Sequence, residues 1–283
     1  MERKSLLPYL LILPAFAYLL FFVGYPLLQA LYLAFTQNGA FSLDTVRRTV
    51  NDYYFWSALK DTLALAAVIV PTQVFLALIL ALLLNKAFKG KDLAIYALVI
   101  PLTISDVAGG LIWYSMLSPY GFLNKVLMNI GVISHPIYFF GYQFRSREFL
   151  AIVLAELWRA TSIVFIIILA GLQMISKEYI EAAEVFGANY WTRLRKIVFP
   201  MLKPSIQSAL IIRTLFAMQI FGVVWILAGR DIPVLAGEGF YQLTVIKDYG
   251  VASIYALIIA GLSILFGALY VKFLRAEYLE VMR

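Results

Sequence analysis

The chain has 283 residues, of which 63% are hydrophobic and 14% charged, with a formal net charge of +7 and a mean hydropathy of +0.87. That profile lies far from the roughly 45–50% apolar, 25% charged composition of a soluble domain and describes a protein that crosses a membrane repeatedly. With no cysteine and a single His135, disulfides, thiolate sites and histidine metal centres are excluded, and the positive surplus reads as orientation and lipid contact rather than nucleic-acid binding.

Six segments, at residues 6–35, 62–84, 93–117, 149–175, 206–228 and 251–271, are each long enough to cross about 30 Å of hydrocarbon as a helix. They lack the apolar–polar alternation of barrel strands. The expected fold is an all-α integral membrane protein with six transmembrane helices, forming a single domain over 1–283. The first segment is too long for a signal-peptide core and has no small-x-small cleavage site before Thr36, so it is expected to be retained. Pro14 and Pro26 inside it predict a kink. In the third, Gly109 and Gly110 suit close helix packing. Beyond it, Asn124 is expected as a loop or cap residue, and the aromatic stretch from His135 to Phe144 is too short to span.

Placing the N-terminus in the cytoplasm puts Arg3, Lys4, the Lys86–Lys89–Lys91 cluster, Arg193, Arg195, Lys196, Lys272, Arg275 and Arg283 inside. The outside receives fewer basic residues, among them Arg47, Arg145 and Arg230, interspersed with Asp44, Asp52, Asp61 and Asp231. Trp56, Trp113 and Trp225 then fall near the outer boundary, as an interfacial belt requires. Both termini and the 176–205 segment are expected to be cytoplasmic.

That segment contains "KEYIEAAEVFGANYWTRLRKIVFPMLKPS". Ser176 is placed as an N-cap, and Glu178 sits in the first turn, where negative charge suits the helix dipole. Tyr179, Ala182, Ala183, Phe186 and Tyr190 recur at i, i+3, i+4, i+7 and i+11 as one apolar stripe. After Gly187, Trp191, Leu194, Val198 and Met201 form a second stripe, which Pro200 and Pro204 are expected to end before the next span. By periodicity alone, this amphipathic pair fits either a partner's groove or a lipid surface.

The stretch "EAAEVFGANYWTRLRKIVFPMLKP" resembles the EAA signature of binding-protein-dependent ABC importer permeases, with Glu181, Ala182 and Ala183 leading at the family's spacing to Gly187, Ile197 and Pro200. Phe199 stands where the family usually has Leu, and Phe186 where many sugar permeases have Asp; both can pack on the stripe. "LLPYLLILPAFAYLLFFVGYPLLQALYLAFT", "VIPLTISDVAGGLIWYSMLSPYGFLN" and "LAELWRATSIVFIIILAGLQMISKEYIEAA" are similar to carbohydrate permeases of the maltose type, so the resemblance covers nearly the whole chain. The subunit resembled is the first of two, without its extra N-terminal helices and large external domain. "LAGRDIPVLAGEG" departs from the usual Thr-Gly-Gly-Gly-Pro pattern.

The resemblance implies a type I ABC importer permease fold with a cytoplasmic coupling-helix pair, in the cell membrane. It implies a heterodimer with a second permease, two ATPase subunits that bind ATP and magnesium, and an extracellular sugar-binding protein. This chain itself would hold no cofactor and catalyse nothing, and it contains no G-x4-G-K-[ST] loop. Glu181, Ala182, Ala183, Phe186, Gly187, Tyr190, Trp191, Ile197 and Pro200 are implied to seat in an ATPase cleft. Closure of the ATPases would then switch the spans between inward- and outward-facing.

Asp106, Glu156, Arg159 and Arg213 lie within spans, where an ionisable group costs several kcal/mol unless paired or facing water. Glu156, Arg159 and Ile163 share one helix face, and Arg213, Phe216, Ala217 and Ile220 share another. Glu156 and Arg159, three apart, either neutralise each other or help line a substrate path, and the resemblance places the family's sugar-contacting faces on these two spans. Trp113, Tyr114, Trp158 and Gln219 are further candidates, Trp113 also suiting the belt.

A proton-coupled carrier with Asp106 and Glu156 as relay carboxylates is an alternative from another class, but it leaves 176–205 unexplained and the halves show no inverted repeat. An intramembrane enzyme lacks a Ser/His, His/His or Asp/Asp constellation. Within the resemblance, a disaccharide such as maltose or trehalose is the expected substrate, with maltodextrins, monosaccharides and glycerol phosphate as competitors.

Overall fold

The computed structural model of the chain describes residues 7–86 and 88–273. Leu6, both termini, and the orientation markers Arg3, Lys4, Arg275 and Arg283 lie outside the described residues.

The first expected span is α1 (Leu7–Leu19), a π-helical turn at Leu20–Gly24, and α2 (Tyr25–Phe35). Where a kink was expected of the prolines, the helix carries this π turn, which loosens the hydrogen-bond ladder just ahead of Pro26. Asn38 and Gly39, both with positive φ, then form the two-residue turn that pairs β1 (Thr36–Gln37) with β2 (Ala40–Phe41). This short pair is the one departure from an all-α fold among the described residues. After α3 (Asp44–Asn51), α4 (Tyr53–Leu84) begins well before the expected Thr62, because the Asp52 carboxylate accepts from Tyr54 N at 2.9 Å and caps the helix there.

The third expected span is not a straight helix. α5 (Lys91–Val99) passes through a 3-10 turn, Ile100–Thr103, and the chain bends by 103° into α6 (Asp106–Leu117). Pro101 removes a donor from the ladder, and Ser105 caps the new helix by accepting from Ala108 N at 3.3 Å. The Ser162 hydroxyl donates to Leu98 O at 2.5 Å, satisfying a carbonyl beside the break. α7 (Phe122–Asn129) follows. Asn124 within it is fully buried and bonds Ser118 O, Ile137 O and Ile137 N, so it pins the irregular 134–140 stretch rather than capping a helix.

α8 (Arg145–Gln173) is the central helix: 61% of its most apolar stretch is buried, against 0% for the first span. Its face packs along α4, with Ile152, Ala155, Val164 and Ile168 meeting Leu65, Ile69, Ala77 and Ala81. α9 (Lys177–Val185) and α10 (Tyr190–Arg193) come next. From α10 the chain stays helical through a π turn, Leu194–Val198, into α11 (Phe199–Met218). Pro200 and Pro204 therefore do not end the second amphipathic helix as expected: Pro200 occupies the first turn of α11, and the π turn ahead of it absorbs the ladder defect.

The fifth expected span, 206–228, is likewise interrupted, since α11 stops at Met218 and α12 (Gly222–Leu227) packs on α6. Close approach requires the glycines here. A Cβ on Gly222 would stand 2.7 Å from Asp106 Cβ, and one on Gly110 would stand 2.9 Å from Ile226 Cβ. In a bilayer, where lipid tails are as apolar as leucine, such packing does much of the work of holding helices together. α13 (Leu235–Tyr241), a π turn at Gln242–Ile246, and α14 (Tyr249–Phe273) complete the fold.

Among the described residues, four helices are long and apolar enough to cross a membrane, namely Leu10–Phe35, Tyr53–Leu84, Tyr142–Gln173 and Tyr249–Lys272, or up to five if the bent pair counts as one. At the end of the bundle where α4 begins, Arg230 is sandwiched between the Tyr54 and Tyr241 rings, at 4.0 and 3.9 Å, and donates twice to buried Glu238 at 2.8 Å. The "LAGRDIPVLAGEG" departure thus encodes an internal clamp.

Candidate functional site

Two places stand out, one inside the bundle and one at its end. Inside, α8 brings Glu156 and Arg159 onto one face, and α11 brings Arg213 opposite them. Glu156 Oε1 accepts from Arg159 Nη2 at 2.9 Å, and Glu156 Oε2 accepts from Arg213 Nη2 at 2.6 Å. Arg213 Nε donates to Gln73 Oε1 of α4, and Gln73 Nε2 donates in turn to the backbone oxygen of Glu156 at 2.8 Å. At the other end of the network, Arg159 Nη1 meets Asp106 Oδ1, at the start of α6, at 2.9 Å. The result is a continuous run, Asp106–Arg159–Glu156–Arg213–Gln73, of alternating charge.

Burial is graded along it. Gln73, Glu156 and Arg213 are buried, Arg159 keeps 14% of its side chain exposed and Asp106 49%. A buried carboxylate is stable only when it is well paired, and here both oxygens of Glu156 accept from guanidiniums. The open end faces a cavity of about 280 Å³, lined by Glu156, Arg159, Ile163, Arg213, Phe216 and Ile220 among others. Those six were expected to share a path. Ala217 was too, but it is 1% exposed and packs with Ala66, Val70 and Met218 toward α4.

Glu156 and Arg159 neutralise each other, as one of the two readings expects, and both also line the cavity. Of the further candidates, Gln219 lines this cavity. Trp113 and Trp158, 6.4 Å apart, line a separate apolar crevice of about 610 Å³, and Tyr114 stacks on Phe140 at 5.0 Å. Trp113 also packs against the main core cluster. Gln73 went unread, although an amide in the middle of an apolar α4 was the available signal.

At the bundle's end, α9 and α10 form an elbow. Ser176 caps α9 by accepting from Glu178 N at 3.3 Å, as expected, and Asn189 caps α10 by accepting from Thr192 N at 2.9 Å. Between them Gly187 takes φ +76°, with Ala188 N donating to Ala183 O and Gly187 N to Glu184 O, both at 2.9 Å, the six-residue closure that left-handed glycine permits. The Arg193–Glu184 ion pair ties the two helices, and Lys86 Nζ lies 5.7 Å above the Tyr190 ring.

The elbow's apolar residues face outward. Phe186 is 90% exposed, Val185 86%, Trp191 73% and Tyr179 57%, with Glu181, Ala182, Gly187 and Tyr190 exposed beside them. Ala183 and Ile197 are half-buried, and Pro200 is exposed at the start of α11. The second stripe divides: Trp191 is free, while Leu194 is buried and Val198 packs against the body of the bundle. α8 leads directly into the elbow and α10–α11 leads out of it, so two of the four helices that supply the charged run also flank the elbow.

Comparison with known proteins places this arrangement. Residues 55–276 match the family described as binding-protein-dependent transport system inner membrane component. The chain is 30% identical to the trehalose/maltose transport system permease protein MalF of Thermococcus litoralis, over 95% of this chain and 94% of that one. It is 31% identical to the sulfoquinovosyl glycerol transport system permease protein SmoG of Agrobacterium fabrum, over 96% and 91%. Among solved structures it superposes with TM-score 0.83 and 22% identity, over 98% of this chain and 97% of the other, on a chain of a bacterial ABC transporter involved in the import of the acidic polysaccharide alginate. The chain belongs to the family of binding-protein-dependent transport system inner membrane components, the membrane-embedded permeases of such transport systems.

Proposed function

We propose that this chain is one of two permease subunits of an ATP-driven, binding-protein-dependent carbohydrate importer, for a disaccharide such as maltose or trehalose. Family membership and the trehalose/maltose relative support the class. The observation that carries the mechanism is the elbow, where Val185, Phe186 and Trp191 stand exposed around Gly187 while Glu178, Glu181 and Glu184 crowd the first helix. An apolar knob with acidic residues on its first helix suits a protein groove that offers basic residues.

In this reading residues 1–283 form one permease domain with six spans: α1–α2, α4, the bent α5–α6, α8, α11–α12 and α14. Residues 176–205 are the coupling loop, on the cytoplasmic side together with both termini. Glu181, Ala182, Ala183, Phe186, Gly187, Tyr190 and Trp191 seat in an ATPase subunit, and Ile197 and Pro200 stiffen the exit into α11. Two ATPase subunits hold ATP and magnesium, a second permease completes the path, and an extracellular binding protein delivers the sugar. Arg213 sits about 35 Å along the helix from Tyr190, and Arg159 about 21 Å from the end of α8. Pulling the elbow therefore shifts two walls of the charged cavity against each other. A Glu156 carboxylate held by two guanidiniums is poorly suited to proton relay, which disfavours the carrier alternative.

Co-expression with the ATPase subunits is expected to give a stable complex whose ATP hydrolysis rises when sugar-loaded binding protein is added. Glu181→Lys is expected to yield a folded permease that loses the ATPase on affinity purification. Full coupling in that variant, or uptake by the isolated chain driven by a pH gradient alone, would overturn the proposal.

A further inference from the structure

Lys86, Lys89 and Lys91 crowd the turn that joins α4 to α5, with Asp92 the one carboxylate beside them. Among the described residues, none of the three lysines has a carboxylate within ion-pair distance. No side chain caps α5, so the free N–H groups of its first turn add to the positive field there. Lys86 lies over the Tyr190 ring, which sets the cluster at the elbow end of the bundle. Lysines massed where two apolar helices leave the hydrocarbon attract anionic headgroups.

The same two helices lead from the lysines to the apolar crevice of about 610 Å³. Its near rim is Leu80 on α4 and Ala97 on α5. Leu80 precedes Lys86, and Ala97 follows Lys91, by the same interval, so on both helices the rim lies about 9 Å from the cluster. Exposed Leu76, Ile79 and Trp158 also line the crevice, which opens on the bundle's flank and shares no lining residue with the charged cavity. Its two hydroxyls, Thr161 and Ser162, are spent on Leu157 O and Leu98 O, both at 2.5 Å, so a polar ligand gains little from them. A helix is about 10–12 Å across, and a membrane-spanning length of it needs several times this volume. A single acyl chain is thin enough to enter.

We propose that the crevice and the lysine cluster form one binding site for an anionic phospholipid. Its headgroup meets Lys86, Lys89 and Lys91, and one acyl chain lies between α4, α5 and α8. The glycerol ester region bridges the interval between lysines and rim, and the crevice then carries the chain into its leaflet, half of about 30 Å deep. Through Lys86 the bound lipid sits against the elbow.

The test uses the whole transporter in lipid nanodiscs. Phosphatidylglycerol and phosphatidylcholine with the same photoreactive acyl chain are each added in trace amounts, and labelled peptides are mapped by mass spectrometry. Phosphatidylglycerol is expected to label residues 76–80 and 97–101 roughly tenfold more than phosphatidylcholine does. Lys86→Gln, Lys89→Gln and Lys91→Gln together should bring the two lipids level. Ala97→Trp, at an exposed position, should remove the label there from both lipids while leaving labelling of α14 unchanged. Equal labelling by the two lipids in the native complex, an unmoved ratio in the lysine variant, or labelling that persists through Ala97→Trp overturns the proposal. So does cross-linking from a photoreactive residue at position 97 into the second permease, which would make the crevice a seam between subunits.

Discussion

Glu156 in the bundle core is 1% exposed with both carboxylate oxygens bonded, whereas Phe186 in the elbow is 90% exposed. The first region is complete within this chain. The second makes physical sense only with something laid against it, since an apolar knob outside the spans gains nothing from water. A change in the core is therefore expected to register in the chain's own stability, and a change in the elbow in what the chain assembles with.

The largest effect should come from Glu156→Ala, which leaves Arg159 and Arg213 without their shared carboxylate. Loss of one partner of a buried pair costs roughly 3–5 kcal/mol, and the expected result is a sharp fall in folded yield and in the midpoint of thermal unfolding in detergent. A smaller fall is expected for Gln73→Leu, which strips Arg213 Nε of its acceptor at a cost of about 1–3 kcal/mol. A denaturation midpoint as high as that of the native chain would mean that the amide is idle. In the elbow, Gly187→Val forces a β-branched residue into φ +76°, a local strain of about 1–2 kcal/mol with open space around the new side chain. Bundle unfolding should barely move, while ATPase association measured by pull-down should fall steeply. A variant that unfolds early yet still binds the ATPase would erase the contrast between the two regions.

Much of the bundle was legible because span length and apolarity are one-dimensional properties: four expected spans correspond to helices long and apolar enough to cross a membrane. The bend at 100–105 was written in Pro101 and in Ser105 ahead of Asp106, but the apolarity of the surrounding residues masked these local signals. Pro200 and Pro204 misled in the opposite sense. The rule that proline ends a helix holds for a regular ladder, and the π turn at Leu194–Val198 makes the ladder irregular just before them. In the charged run, the pairing of Glu156 with Arg159 followed from a spacing of three. Its joining to Asp106, Gln73 and Arg213 depends on three other helices, and no spacing along the chain encodes that. Ala217 was misplaced for a related reason: four residues from Arg213 lies the far edge of the same stripe, which α4 covers.

The alternating run also has an electrical consequence. Moving one elementary charge through a membrane potential takes about 2.3 kcal/mol per 100 mV, a term that would tie any rearrangement of the bundle core to the cell's energisation. Asp106, Arg159, Glu156 and Arg213 sum to zero, so shifting them together as a block carries no gating charge. A cycle that moves these four side chains as a block is therefore expected to run at the same rate in polarised as in depolarised proteoliposomes.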